Sequence, residues 1–459
     1  MPLRATSEET LRRLWLGNAF AGAPLRTDDG VHVSVRSPGV ANADGGPDFL
    51  DARIRIGGVL CRGDVELHTR AASWHAHGHD TDPHYNRVIL HAVLNGGQTR
   101  TVPRTASGRI IPQVVLPHLV DRHILRAHAP GRTALCRRAG RRLSGAALAV
   151  VLRRQGMRKL RERAQALRRR LFQIIEEGHG CAWDQLLYEC VLEGMGYSKN
   201  RAPFIALARS VPLQALAPIA GSSPGGAEAL LFGQAGLLPP ARSLPDKESR
   251  GYVRCQRRRW RRLRAAVTAP RLREEDWMFF RLRPANFPSA RLAGFCRLLP
   301  LFAAGDAFGR ILSVLRHPPA RARRELESLL AIHAEGFWSR HLHFGGRGGS
   351  VALGRERIHD LAVNAFIPLA LLRAGLTRDR RLGRSALALM GALPRSAQSA
   401  PLREMRMRLG GTPPGSRLAI EGALRLRARY CNRSGCRRCP AIRTSRPRSP
   451  GRTSTSRRP

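Results

Sequence analysis

In the runs 31–36, 48–56 and 59–69 apolar side chains recur at every second position, a period that suits a strand with one covered face and not a helix. Val31, Val33 and Val35 alternate with His32, Ser34 and Arg36 between the turn formers Asp29-Gly30 and Pro38-Gly39, which predicts a half-buried strand. A second strand is predicted from Asp48 to Ile56, stopped by Gly57-Gly58, a third from Val59 to about Thr69, and a fourth over Arg87–Leu94. The polar stretch Trp74–Pro83 lies between the last two as a loop or short helix. Ahead of them all, Ser7, Glu8 and Glu9 offer a cap and an acidic first turn to a helix carrying Leu11, Leu14, Trp15 and Leu16. The order is helix, three strands in an antiparallel meander, a short irregular piece, then a strand. Thr99–Pro103 and Ile110–Leu116 are expected to add a hairpin.

From about Ala146 the period changes. Val150–Leu171, Trp183–Met195, Pro203–Leu216, Glu228–Leu238, Trp277–Leu282, Pro288–Leu301, Arg324–Phe337, Arg357–Leu372 and Ser385–Leu393 read as helices separated by proline and glycine. The fold class is therefore α+β: an α/β domain over 1–130, a mostly helical basic domain over 131–440, and a disordered basic tail over 441–459. Charge follows the same division. Residues 1–130 hold 15 basic and 12 acidic side chains, and the remainder holds 64 and 21. Ten of the sixteen histidines lie in the first part. Chemistry is expected there, and attraction to a polyanion, nucleic acid above all, in the rest. The first residues lack an apolar signal core, no run reaches the roughly 18 apolar residues of a membrane span, and nine cysteines suit a reducing compartment, so a cytoplasmic protein without membrane contact is expected.

Asp64, Glu66 and His68 share one face of the third strand by their spacing, and Asp48 opens the neighbouring strand after Pro47. Carboxylates from adjacent strands can hold Mg²⁺ and its waters against a phosphoryl group, while a nearby imidazole moves a proton. Asp48, Glu66 and Asp64 are thus the expected magnesium ligands, and Asp48, Glu66 and His68 the expected catalytic set. Periodicity raises one conflict. Asp48 has the parity of Leu50, Ala52, Ile54 and Ile56, the apolar face of its strand, so joining Glu66 requires a bulge near Pro47 or a sheet covered on both faces.

Pro47-Asp48, seventeen intervening residues and Glu66-Leu67-His68 resemble the PD-(D/E)XK nuclease signature, whose α-β-β-β-α-β core of restriction-endonuclease type matches the element order of residues 7–95. The resemblance implies divalent-metal ligation by Asp48 and Glu66, with His68 standing where lysine is usual. A wider set of segments resembles an uncharacterised bacterial family catalogued as domain of unknown function 2851. These are GPDFLDARI, GDVELH, the histidine-rich stretch from Trp74 through Asn86, Glu228–Leu237 and Leu282–Pro288. That likeness implies no activity.

Three further groups carry expectations. His75, His77, His79 and Asp80 are expected to support the carboxylate site or contact phosphate, a dedicated zinc site being the alternative. Cys431, Cys436 and Cys439 suit zinc or an iron–sulfur cluster but lack a fourth ligand, for which Cys255, Cys296 or a histidine would have to arrive. Arg257, Arg258, Arg259, Arg281, Arg283, Asn286 and Arg291 are the phosphate-contact candidates of the helical part. A metal-dependent nuclease is the leading expectation. A non-catalytic nucleic-acid-binding or assembly protein on the same fold, and a zinc hydrolase acting through the histidines, stand as alternatives.

Overall fold

The computed structural model describes residues 7–17, 20, 24–42, 46–96, 102–117, 136, 143–197, 199–279, 282–394, 399–410, 415–432 and 436–445. Two units divide the chain: residues 1–156, 398–415 and 419–459 belong to one, and residues 157–397 with 416–418 to the other. Arg281 and residues 446–459 of the expected tail lie outside the described residues.

The first unit is built on a seven-stranded mixed sheet. Its strands are β1 (Leu25–Arg26), β2 (His32–Ser37), β3 (Val40–Ala41), β4 (Phe49–Ile56), β5 (Val59–Arg70), β6 (Val88–Asn95) and β7 (Gln113–Val115). They lie in the order β1-β2-β4-β5-β6-β7, with β3 beside β4. β2, β4 and β5 form the antiparallel meander. The β4–β5 turn is Gly57-Gly58, both at positive φ (55° and 86°), a two-residue connection that suits the twist of the strands it joins. β6 pairs with β5 in parallel, which forces a crossover; helix α2 (Ser73–Ala76) and the 3₁₀ turn Pro83–Arg87 supply it. Of the expected hairpin Thr99–Pro103 and Ile110–Leu116, residues 99–101 lie outside the described residues; the described part carries an antiparallel bridge from Arg104 to Ile110, and β7 extends the sheet parallel to β6.

Helix α1 (Glu8–Leu16) places Leu11, Leu14 and Trp15 on Phe49, Ala52, Ile54, Val65, Leu67, Leu90 and Ala92. Trp15 is 1 % exposed, and its indole N–H donates to the Pro38 carbonyl at 3.1 Å. Trp74, Tyr85, Val88 and Ile111 make a smaller core in the crossover region.

The parity conflict is settled by a bulge. Phe49 pairs with Val65 and Ala52 with Gly63, so three steps of β4 match two of β5. Leu50 and Asp51 both lie exposed, and Asp51 takes the left-handed conformation at φ 55°. The Asp51 N–H donates to Asp64 Oδ1 at 3.0 Å, which ties the bulge to β5. Phe49 therefore faces the core along with Ala52 and Ile54, and Asp48 points to the other side.

A separate core of this unit joins Cys136, Leu148, Val151 and Leu152 to Leu402, Met405, Leu409, Ile420, Ala423, Leu426, Cys436, Cys439 and Ile442. The helices Gly145–Glu176 and Arg417–Leu426 cross closely there. A Cβ on Gly422 would stand 1.9 Å from the Leu152 carbonyl oxygen, so no larger residue fits.

The second unit is helical, around one large buried cluster that runs from Leu160 to Leu393. The expected helix Pro203–Leu216 is two, Arg201–Ser210 and Leu213–Ser222, bent by 79°, because Pro212 stands between them. The stretch Arg355–Thr377 is long and apolar enough to cross a membrane, and 56 % of its apolar window is buried inside the protein. Helix Pro224–Gln234 is almost wholly buried; Glu228 within it accepts from Trp338 Nε1 at 2.6 Å and from the Tyr252 hydroxyl.

Candidate functional site

Asp48 and Glu66 face each other across β4 and β5. The Asp48 N–H donates to Glu66 Oε2 at 2.8 Å, and the Leu67 N–H donates to Asp48 Oδ2 at 3.2 Å. Arg12 of α1 reaches round to Asp48 Oδ1, 3.2 Å from its Nε, and also donates to the Asn42 carbonyl. Burial and the charge of Glu66 push the Asp48 carboxyl up to about 7. Burial pushes Glu66 up to about 8, although the Asp48 N–H and Arg12 act against it. Two buried carboxyls that resist ionisation beside one another define a place where a cation is stabilised. Asp64, expected as a third ligand, is instead occupied by the bulge: it accepts from Asp51, and Arg87 Nε lies 3.9 Å away.

The crossover brings histidines to the same place. His68 Nε2 is 3.5 Å and His79 Nε2 3.4 Å from Glu66 Oε1, while His77 Nδ1 is 3.2 Å from His68 Nε2. Ligand atoms of His68, His77 and His79 all lie within 4.8 Å of one another. Two ligands of a tetrahedral ion with bonds near 2.05 Å stand about 3.3 Å apart, so these spacings suit a single shared ion. His79 is 7 % exposed, is stacked on Tyr85 at 3.8 Å, and its Nε2 is buried without a hydrogen bond. His75, by contrast, turns outward and binds Asp80 at 2.9 Å; both are partly exposed.

The tautomer of His68 follows from its neighbours. Gln113 Nε2 donates to Asp28 Oδ2 at 2.7 Å, so Gln113 Oε1 accepts from His91 Nδ1–H at 2.9 Å. A neutral His91 then presents Nε2 as acceptor to His68 Nδ1–H, 2.9 Å away. That leaves the lone pair of His68 on Nε2, aimed at Glu66, His77 and His79. Burial and the neighbouring imidazoles hold His68 down to about 2, and burial holds His91 at about 4, so both stay neutral at neutral pH. Second-sphere partners of this kind orient a metal-binding imidazole. Gln113→Leu is therefore expected to weaken divalent-metal binding roughly 10- to 100-fold without unfolding the sheet. Metal titration alongside circular dichroism checks it, and unchanged affinity would remove the relay from the site.

The same sheet face continues into a groove of about 550 Å³ lined by Arg36, Arg53, Arg55 and Arg62, with Asp51 and Leu60. Arg53 pairs with Arg62 across β4 and β5, and Arg55 with Leu60. Arg62 stands an even number of residues from Glu66, on its side of β5. Their alternation with Val35, Ile54 and Cys61 is visible in the sequence, but the expectations above looked for phosphate-binding arginines only in the helical part. There, Arg258, Arg259 and Arg283 are exposed. Arg257 donates to the carbonyls of Leu238 and Pro239 at 3.0 and 2.9 Å. Arg291 is 8 % exposed, is held by Asn286 and the Ala352 carbonyl, and lies over Tyr197, so it is enclosed within its unit and not presented to a ligand.

No curated protein and no solved structure matches the chain. A family profile described as "Protein of unknown function (DUF2851)" matches residues 8–399, from the start of α1 through the helical unit. The sheet, its carboxylate–histidine site and the helices up to Ala392 fall within that match, so the chain belongs to the DUF2851 family.

Proposed function

We propose that the protein is a metal-dependent nuclease whose site lies on the β4–β5 face of the sheet. The observation that carries this reading is the convergence of the Asp48–Glu66 pair with ring nitrogens of His68, His77 and His79. The order α1, β2, β4, β5, α2, β6 follows the α-β-β-β-α-β core that the sequence resemblance implies, which supports the reading without deciding the chemistry.

Glu66, His68, His77 and His79 would hold the ion. Three neutral imidazoles and one carboxylate favour Zn²⁺ or Mn²⁺ over Mg²⁺, which prefers oxygen ligands. When bound, such an ion supplies Lewis acidity to a phosphoryl oxygen and acidifies a water. Asp48, with its carboxyl raised to about 7, is placed to accept a proton from the attacking water near neutral pH. His68 has a different role from the proton carrier expected of it, since its one free lone pair points into the cluster.

Arg36, Arg53, Arg55 and Arg62 would hold the phosphate backbone leading to that site, each guanidinium gripping oxygens in pairs. Wild-type protein freed of metal is expected to cleave DNA or RNA on addition of Mn²⁺ or Zn²⁺. Arg53→Ala with Arg55→Ala and Arg62→Ala is expected to flatten the salt dependence of nucleic-acid binding, by about one in log–log slope per arginine. Fluorescence anisotropy over a salt series reads that change. Absence of cleavage with every divalent ion, at retained binding, would leave a non-catalytic nucleic-acid-binding protein on this fold. Cleavage confined to small esters would favour the zinc hydrolase.

A further inference from the structure

Three of the nine cysteines come together near the C-terminal end of the described chain, where Cys431 closes the helical segment Arg427–Cys431 and Cys436 and Cys439 flank a 3₁₀ turn. The Cys439 N–H donates to the Cys436 carbonyl at 3.0 Å, which keeps the turn tight. The sequence leaves this trio short of one ligand and points to Cys255 or Cys296. Neither serves: Cys296 is buried in the core of the other unit, and Cys255 is exposed on helix Lys247–Leu263.

The structure brings a different residue. Cys136 shares a side-chain hydrogen bond with Cys436 and lies within electrostatic reach of Cys431 and Cys439, in the same small core. Cys136, Cys436 and Cys439 are 5 %, 6 % and 5 % exposed, and Cys431 is half-buried with its sulfur 4.0 Å from Met405 Sδ. All four belong to the small core of Leu148, Leu152, Leu402 and Leu409. Arg408 stands near Cys431 and Cys136, a cation placed to offset negative charge there.

As free thiols the four gain little from this arrangement. Sulfhydryls are weak hydrogen-bond partners, so four of them gathered in one small core satisfy one another poorly. A divalent ion reverses the balance, because it displaces the thiol protons and makes four neighbouring thiolates mutually compatible. The setting also needs a cross-link. The core is assembled from the short helices Ala400–Arg408, Arg417–Leu426 and Pro440–Thr444 against residues some 250 to 300 positions earlier, and small cores of this kind commonly depend on a metal.

We infer that Cys136, Cys431, Cys436 and Cys439 form a four-thiolate metal centre, occupied by zinc or by a four-iron cluster, that fastens residue 136 to the C-terminal turn. The inference stands independently of the nuclease reading. Zinc loading would release one proton from each thiol; a cluster would require iron and inorganic sulfide as well.

The test uses the full chain, purified anaerobically and carrying His77→Ala and His79→Ala so that the imidazole site contributes no metal. One zinc per chain, or iron and labile sulfide in equal amounts with broad visible absorption, distinguishes the two forms. Cys136→Ser is expected to lower occupancy as far as Cys436→Ser does, while Cys190→Ser and Cys255→Ser leave it unchanged. Should the cysteine variants misfold, X-ray absorption on the same otherwise unaltered chain decides. A shell of four sulfurs, near 2.3 Å for zinc, supports the centre. A shell containing nitrogen or oxygen, a metal-free folded chain, or occupancy indifferent to Cys136→Ser would overturn it.

Discussion

Glu66→Gln is expected to lower metal-dependent phosphodiester cleavage by roughly a thousandfold or more. The ion's Lewis acidity is worth several kcal/mol, and each ~1.4 kcal/mol is tenfold in rate. Glu66 Oε1 lies 3.5 Å from His68 Nε2 and 3.4 Å from His79 Nε2, and an amide oxygen in its place brings no charge to the ion. The same substitution should stabilise the metal-free protein. A carboxyl held at about 8 in the folded chain and near 4.5 when free means that the folded state binds the extra proton between those values. Metal-free stability therefore falls as pH rises from about 4.5 to 8. His68 works in the opposite sense: with its folded value near 2, its contribution rises with pH up to about 6.5 and is complete above it. Glu66→Gln removes only the first effect. Its metal-free Tm should exceed that of the wild type at pH 8 and converge with it near pH 5. Scanning calorimetry with and without EDTA, beside cleavage assays, separates the outcomes; full activity in the variant would eliminate the site.

Deleting Leu50 alone should preserve metal binding and lower stability only modestly. Without the extra residue Phe49 stands two positions before Ala52, so strict alternation keeps Phe49 in the core and Asp48 on the Glu66 side. What is lost is the bond from the Asp51 N–H to Asp64, worth about 1–3 kcal/mol. Two controls isolate the bulge from its side chains. Leu50→Ala alters a residue 38 % exposed and should stay within ~1 kcal/mol of the wild type. Asp51→Gly supplies the residue best suited to φ 55° and should preserve cleavage. Urea denaturation and metal titration read both properties, and a deletion variant that no longer binds metal would refute the assignment of faces.

Much of the sheet was legible because period two is a local property. Val31–Val35, Ile54–Ile56 and Val65–Leu67 show their faces without tertiary knowledge, and Gly57-Gly58 announces its turn. The facing of Asp48 was not legible. The bulge depends on an exposed residue and a backbone N–H bound to Asp64, and neither leaves a trace in hydropathy. His77 and His79 looked like supporting groups because they lie in a loop, where spacing says nothing about direction; the parallel crossover to β6 is what folds that loop over Glu66. Gln113 and Asp28 were unreadable for a related reason, since their only signal is contact across strands distant in sequence. The arginines of β2, β4 and β5 did carry a signal, alternation with apolar residues, which the abundance of arginine elsewhere concealed.

Residues 398–445 complete a core begun by residues 136–152, although 157–397 belong to another unit. On a ribosome the chain appears in order, so Leu148, Val151 and Leu152 emerge well before Leu402 and Ile420 exist. At ~5–20 residues per second that interval is on the order of ten seconds or longer. Throughout it the first half of helix Gly145–Glu176 has an apolar flank with its partners still unmade, while the intervening segment is already free to fold. Nascent protein should accordingly depend on chaperones at this stage, and a premature stop after residue 397 would damage a part of the molecule that was synthesised long before the stop.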